Sequence, residues 1–214
     1  MNIPSSMPCS RHTLVLGGQK SGKSRHAETL AARWLARDRA HEAVLVATAR
    51  PWDAEMRARI ARHQQDRLRR VPAMRTVEEP LQLADCIARH SQPHVLLVVD
   101  CMGMWLTNWL MPADASQHDG GDHDGDAALA QRRAAWQGAC AALRQALDAA
   151  PGPVLMVSNE IGWGVIPLGR EVRVFVDALG LLNQQLAAQC VTVVLMAAGL
   201  PLMLKQPDTP DGGP

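Results

Sequence analysis

Lysine is nearly absent from this 214-residue chain: Lys20, Lys23 and Lys205 stand against many arginines. A lysine in a demanding position is therefore informative. No two of the five cysteines, Cys9, Cys86, Cys101, Cys140 and Cys190, form a C-x-x-C unit. That excludes the commoner zinc and dithiol motifs and fits a reduced, cytoplasmic chain without a disulfide framework. No apolar run approaches the roughly 20 residues of a membrane span, so membrane insertion is not expected. Residues 1–12 carry Pro4, Ser5, Ser6, Pro8 and Ser10 without the apolar core of a secretory signal, and read as a flexible leader. The formal net charge of +1 gives no general drive toward nucleic acid. Residues 206–214, rich in Pro, Gly and Asp, read as a disordered tail. What lies between, residues 13–205, is long enough for one domain with an ample core.

Two of the rare lysines fall in Gly17-Gly18-Gln19-Lys20-Ser21-Gly22-Lys23-Ser24, which fits the phosphate-loop pattern G-x-x-x-x-G-K-[ST]. Apolar Leu14-Val15-Leu16 precede it and read as a strand. Ala27, Leu30, Ala31, Trp34 and Leu35 follow at helical spacing. Strand, glycine loop and helix are the context the motif needs. Backbone N–H groups wrap a phosphate there, and the helix N-terminus adds its positive end. Lys23 then reaches the outer phosphates and the Ser24 hydroxyl holds Mg²⁺. The chain is expected to bind a nucleoside triphosphate.

Strand and helix signals alternate along the chain. Strands are expected at Thr13–Leu16, Ala43–Thr48, Val95–Asp100, Val154–Val157 and Val191–Ala197. Helices are expected at 53–65, 81–89, 103–110, 127–149 and 171–189, with Asp53 as an N-cap. Residues 112–126 read as a loop insertion. Its stretch from His118 to Asp126 resembles a Ca²⁺ loop superficially but lacks the terminal glutamate, and a solvated acidic insertion is the better reading. The alternation predicts a three-layer α/β domain with a mostly parallel sheet, the P-loop NTPase architecture of RecA-like type.

Three further features can carry chemistry. Asp100 ends a buried apolar run and suits a second metal anchor, or alternatively caps the next helix. His63 shares a helix face with Met56 and Ile60, one turn after Arg59. An imidazole among guanidinium groups holds a proton poorly, so it can serve as a neutral nucleophile; equally, it can be a solvated surface histidine. Ser158-Asn159-Glu160-Ile161-Gly162-Trp163-Gly164 follows a buried strand, at the sheet edge where ligands bind, and can also be an ordinary turn. Cys101 reads as a small buried apolar residue.

Taken together, the motifs resemble the bifunctional adenosylcobinamide kinase / adenosylcobinamide-phosphate guanylyltransferase family of cobalamin biosynthesis. The resemblance runs from the phosphate loop through Ala47-Thr48-Ala49, Asp53-x-Glu55-Met56-x-x-Arg59-Ile60-x-x-His63, Thr76-x-Glu78 and Asp100-Cys101. It continues through Ser158-Asn159-Glu160-x-Gly162-x-Gly164, Asp177-x-x-Gly180-x-x-Asn183-Gln184 and Ala198-Gly199-Leu200-Pro201. Family members often carry Pro-Glu where this chain has Pro167-Leu168, an arginine at Val176, and in some cases a glutamate at Asp100.

The resemblance implies two reactions. A γ-phosphoryl group moves from ATP or GTP to the hydroxyl of adenosylcobinamide. GMP is then transferred from GTP to the product through a GMP–histidine intermediate, and pyrophosphate is released. The position matching that histidine is His63. By the same carry-over Gly17, Gly18, Gln19, Lys20, Ser21, Gly22, Lys23 and Ser24 cradle phosphates. Thr48, Ala49, Arg50, Gln64, Gln65, Asp66, Arg67, Glu78 and Asp100 lie along the nucleotide site, with Mg²⁺ on Ser24 and Asp100. A corrinoid is the implied partner and a homotrimer the implied assembly. The competing readings are a P-loop small-molecule kinase without guanylyl transfer, and a GTP-binding switch module.

Overall fold

The computed structural model describes residues 12–111 and 122–206, with the side chains of 122–126 excepted. Most of the expected leader, acidic loop and tail lie outside the described residues. The elements run β1 (Thr13–Gly17), α1 (Lys23–Arg37), β2 (Glu42–Ala47), α2 (Ala54–Arg70), β3 (Arg75–Glu78), α3 (Leu83–His90), β4 (Val95–Asp100) and α4 (Met102–Leu110). They continue with α5 (Asp122–Ala149), β5 (Val154–Val157), α6 (Arg170–Gln189), β6 (Thr192–Ala197) and β7 (Leu200–Lys205). Helix α5 begins inside the stretch read as a loop, so residues 122–126 are helical.

The seven strands form one sheet in the order β3-β2-β4-β5-β1-β6-β7. Every pairing is parallel except β6 with β7. The central strands are apolar on both faces, as parallel strands between helices must be. Within β4, Val95, Leu97 and Val99 face one core while Leu96 and Val98 face the other. The first core is roofed by α3, α4, α5 and α6, the second by α1 with Val71 and Met74.

Handedness explains this unequal division. Connections from β1 to β2 and from β2 to β3 step one way along the sheet; those from β3 to β4, β4 to β5 and β5 to β6 step the other way. A right-handed crossover puts helices of opposite step on opposite faces. The connections leaving neighbouring strands β1 and β5 therefore part to opposite faces. A crevice opens between them at the carboxyl edge of the sheet, where open α/β sheets bind ligands.

Two strands escape a reading of periodicity. β3 is a polar edge strand in which only Val77 is half-buried. β7 follows β6 through a two-residue hairpin, Ala198-Gly199, with φ of 50° and 81°. Two positive φ values are the mark of a type I′ turn. Lys205 closes β7 by donating its Nζ to the carbonyls of Ala187 and Ala188, at the end of α6.

Candidate functional site

The phosphate loop occupies the crevice between β1 and β5. Its shape depends on two glycines. A Cβ on Gly17 (φ 150°) would lie 2.5 Å from the Met196 carbonyl oxygen and 2.6 Å from Ser21 Oγ. Gly22, the residue before α1, has φ 100° and packs against Gly199. The hairpin turn supports the loop from behind, where the Gly199 N–H donates to the Ser21 carbonyl at 3.0 Å. Gly18, Gln19 and Lys20 are exposed, whereas Ser21 and Lys23 are buried and Ser24 is half-buried in the first turn of α1. The Ser21 hydroxyl is buried without a hydrogen-bond partner.

Lys23 folds back over the loop and donates its Nζ to the Gly18 carbonyl at 2.6 Å. Burial lowers its pKa; Cys101 and Asp100 act to raise it and Arg59 to lower it. Burial likewise lowers the pKa of Arg67, opposed by Asp100 and Glu28. Asp100 thus lies within electrostatic reach of both the phosphate-loop lysine and an arginine of α2. It does not cap α4: the cap position is Cys101, with no side-chain cap bond. The Cys101 thiol is pushed up to about 11, mainly by burial, so it stays protonated and is no nucleophile.

Asp100 and Glu78 sit on either side of Ala47 in the sheet register, at its carboxyl edge. Glu78 is exposed, and its neighbour Glu79 is turned to local work, accepting from the N–H groups of Leu81 and Gln82. Thr48 is fully buried. Its hydroxyl donates to the Cys101 carbonyl at 2.7 Å and accepts from the Cys101 N–H at 2.9 Å. Asn108 donates to its carbonyl at 2.8 Å. The Thr48 side chain is thereby committed to holding the end of β4. Ala49 and Arg50 follow half-buried, with the Arg50 guanidinium 5.6 Å from the Trp52 ring centroid.

Helix α2 carries His63. Asp53 starts it by accepting from the Met56 N–H at 2.7 Å. None of its residues is buried, and His63, Gln64 and Gln65 are exposed, while Asp66 and Arg67 are half-buried. The far end is fastened by polar contacts: Arg70 to the buried Glu28 at 2.8 Å, Arg70 to Asp66 at 3.8 Å, and Arg67 to Thr76 Oγ1 at 3.2 Å. Among the described residues no hydrogen bond or ion pair joins His63 to the phosphate loop. Periodicity stops the helix at Gln65, but it runs on to Arg70, where these partners are waiting.

The loop after β5 forms the opposite wall. Ser158 Oγ donates to Asn183 Oδ1 at 2.6 Å, and Asn183 Nδ2 donates to the Asn159 carbonyl at 3.0 Å. The Glu160 N–H donates to the Gly17 carbonyl at 3.0 Å. A cleft of about 410 Å³ lies between this wall and the phosphate loop, lined by residues that include Gly18, Lys20, Ser21, Glu160, Trp163 and Met196. Beyond it, Trp163, Val165, Ile166 and Leu168 are 77–98% exposed, an apolar run facing solvent. Sequence reasoning assigned no role to Asn183, Asn108, Glu28 or Arg70. Buried polar positions inside otherwise apolar helix faces are the signal for the first two.

Comparison with known proteins places the chain in a family. The family model described as cobinamide kinase / cobinamide phosphate guanyltransferase matches residues 13–204. The bifunctional adenosylcobalamin biosynthesis protein CobP of Pseudomonas aeruginosa is 41% identical over 192 residues, covering 90% of this chain and 96% of that one. The bifunctional adenosylcobalamin biosynthesis proteins CobU of Escherichia coli and Salmonella typhimurium are 36% and 34% identical, each over 90% of this chain and 98% of the relative. Among solved structures, the flagellar accessory protein FlaH of Methanocaldococcus jannaschii aligns at 9% identity with a TM-score of 0.49, over 95% of this chain and 82% of its own. The fold assignment rests on the strand order and the phosphate loop rather than on that likeness. With the family model spanning residues 13–204, the chain belongs to the cobinamide kinase / cobinamide phosphate guanyltransferase family.

Proposed function

We propose that this chain runs both reactions of its family on the one phosphate loop. In the first, the hydroxyl of adenosylcobinamide attacks the γ-phosphorus of ATP or GTP, and the nucleoside diphosphate leaves. In the second, His63 attacks the α-phosphorus of GTP and pyrophosphate leaves. The phosphate of adenosylcobinamide phosphate then displaces His63 and takes up GMP. The observation that carries this reading is the convergence of Lys23, Asp100 and Arg67 at the carboxyl edge of the sheet, with Arg67 on the same helix as His63. Lysine and arginine stabilise charge gathering on phosphate oxygens, and the covalent step divides one hard substitution into two easier ones.

Asp100 and Ser24 offer one carboxylate and one hydroxyl. That sparse oxygen set suits Mg²⁺, which takes one or two protein ligands and leaves the rest to phosphates and water. The ion would neutralise charge on the departing phosphates. Gln64, Gln65 and Asp66 follow the nucleophile, and Glu78, Thr48, Ala49 and Arg50 border the same edge; they are read as the guanosine side of the site. The exposed leucines of β7, Leu200, Leu202 and Leu204, support a homotrimer by offering apolar surface to another copy. The free cysteines among the described residues support a reducing, cytoplasmic setting.

Incubation with labelled GTP tests the covalent step. An acid-labile, base-stable label on the protein is expected, and its loss in His63→Ala. Full labelling and guanylyl transfer by His63→Ala would refute the assignment. Mass analysis of the corrinoid after incubation with GTP and Mg²⁺ reports both products at once. A protein that forms the phosphate but never the guanylylated product is a small-molecule kinase. One that hydrolyses GTP slowly and leaves the corrinoid unchanged is a switch module.

A further inference from the structure

We propose that Glu160 is the general base of the phosphoryl-transfer step, taking the proton of the acceptor hydroxyl. The proposal rests on the kinase activity above and concerns that half of the chemistry alone. Its starting point is the position of Lys23. A phosphate-loop lysine reaches the outer phosphates, and Lys23 Nζ lies 2.6 Å from the Gly18 carbonyl. The terminal phosphate therefore belongs at the Gly17–Gly18 end of the loop. Glu160 is fastened at that end by its N–H bond to the Gly17 carbonyl.

Among the described residues, Glu160 supplies the one carboxylate lining the cleft. Asp100 is not among the residues lining that cleft and is engaged electrostatically with Lys23 and Arg67. The two acids are thus divided by position, one suited to the cation and one to the acceptor. Glu160 Oε1 accepts the Gly162 N–H at 2.9 Å, which fixes the carboxylate. Oε2 has no hydrogen bond among the described residues and is available to a hydroxyl. Trp163, 79% exposed and lining the same cleft, gives an apolar acceptor something to rest on.

The step balances. The acceptor oxygen forms a bond to the γ-phosphorus as the bond from that phosphorus to the β,γ-bridging oxygen breaks. The hydroxyl proton passes to Glu160 Oε2, and the nucleoside diphosphate departs with the bonding pair. The carboxyl group later loses its proton to water.

Glu160→Gln is the informative variant, because its amide oxygen still accepts from Gly162 but no basic oxygen remains. The kinase kcat with cobinamide and ATP is expected to fall by about 10²–10⁴-fold, the range of general-base catalysis. The KM for ATP should hold, as should guanylyl transfer to added cobinamide phosphate. The kinase kcat should recover at least in part in Glu160→Asp, which restores a basic oxygen. A kinase rate within twofold of the parent, or an equal fall in both reactions, overturns the proposal. Thermal unfolding and nucleotide-induced stabilisation monitor folding; a Glu160→Gln protein that has lost its fold also counts against a merely chemical role. If the parent protein itself forms no cobinamide phosphate, the kinase reading fails and not Glu160 alone.

Discussion

Asn183, buried in the middle of α6, accepts from the Ser158 hydroxyl at 2.6 Å and donates to the Asn159 carbonyl at 3.0 Å. One amide thereby holds two successive residues of the wall that carries Glu160. Asn183→Ala leaves the buried Ser158 hydroxyl and the Asn159 carbonyl without these partners. An unsatisfied buried polar group costs about 1–3 kcal/mol. The variant should unfold at lower urea concentration by an amount in that range. Its kinase turnover should also fall, because the base no longer has a fixed support. Retained stability together with retained turnover would contradict this account.

Lys23 has opposite effects on the empty fold and on the nucleotide complex. Its pKa is lowered by burial in the folded chain, so burial of the charge works against folding. Between the lowered value and the ordinary lysine range the unfolded chain binds more protons than the folded one. Stability therefore rises with pH across that alkaline window, and the penalty is fully present below it. Lys23→Met should be at least as stable as the parent without nucleotide and should show a flatter alkaline stability profile. It should gain little from ATP or GTP and lose about a hundredfold or more of both transfers, as expected when a stabiliser of phosphate charge is removed. Calorimetry across pH, with and without nucleotide, reads the three stability outcomes, and turnover assays read the transfers.

Ala198 adopts φ 50° in the turn between β6 and β7, a conformation in which a Cβ is crowded. The type I′ turn favours Asn-Gly at these two places. Ala198→Asn should stabilise the chain by about 1 kcal/mol, the size of the left-handed penalty that asparagine partly escapes. A shift of the urea midpoint to higher concentration, with unchanged slope, is the expected result. The turn's bond to the phosphate loop runs through the Gly199 backbone, which this substitution leaves in place.

The sheet core and the phosphate loop were legible because their signals are local. Continuous apolar runs mark β1, β4 and β5, and the loop's glycines and lysine stand in an obligatory order. β3 was hidden because an edge strand with one half-buried valine has no periodicity to read. β7 was hidden by Pro201 and by a turn in which the first residue is an alanine rather than asparagine or glycine. Asp100 does stand at the end of β4, as its apolar run implied. Thr48 was placed along the nucleotide path, whereas its side chain proves to be bound up with the Cys101 peptide. A bond spanning 53 residues leaves no trace in spacing. The family resemblance singled out His63, which no local physical signal distinguishes from a solvated histidine.

Helix α2, with no buried residue, is held mainly by Arg70 on Glu28 and Arg67 on Thr76. An ion pair with a partly exposed arginine is weakened by added salt, as an apolar seam is not. Added KCl should loosen the helix while the sheet remains intact, so its amides should exchange hydrogen with solvent faster than those of α6. Guanylylation of His63 should then decline with ionic strength more steeply than phosphorylation of the acceptor. The two halves of the chemistry, carried by one chain, come to differ in their sensitivity to the surrounding electrolyte.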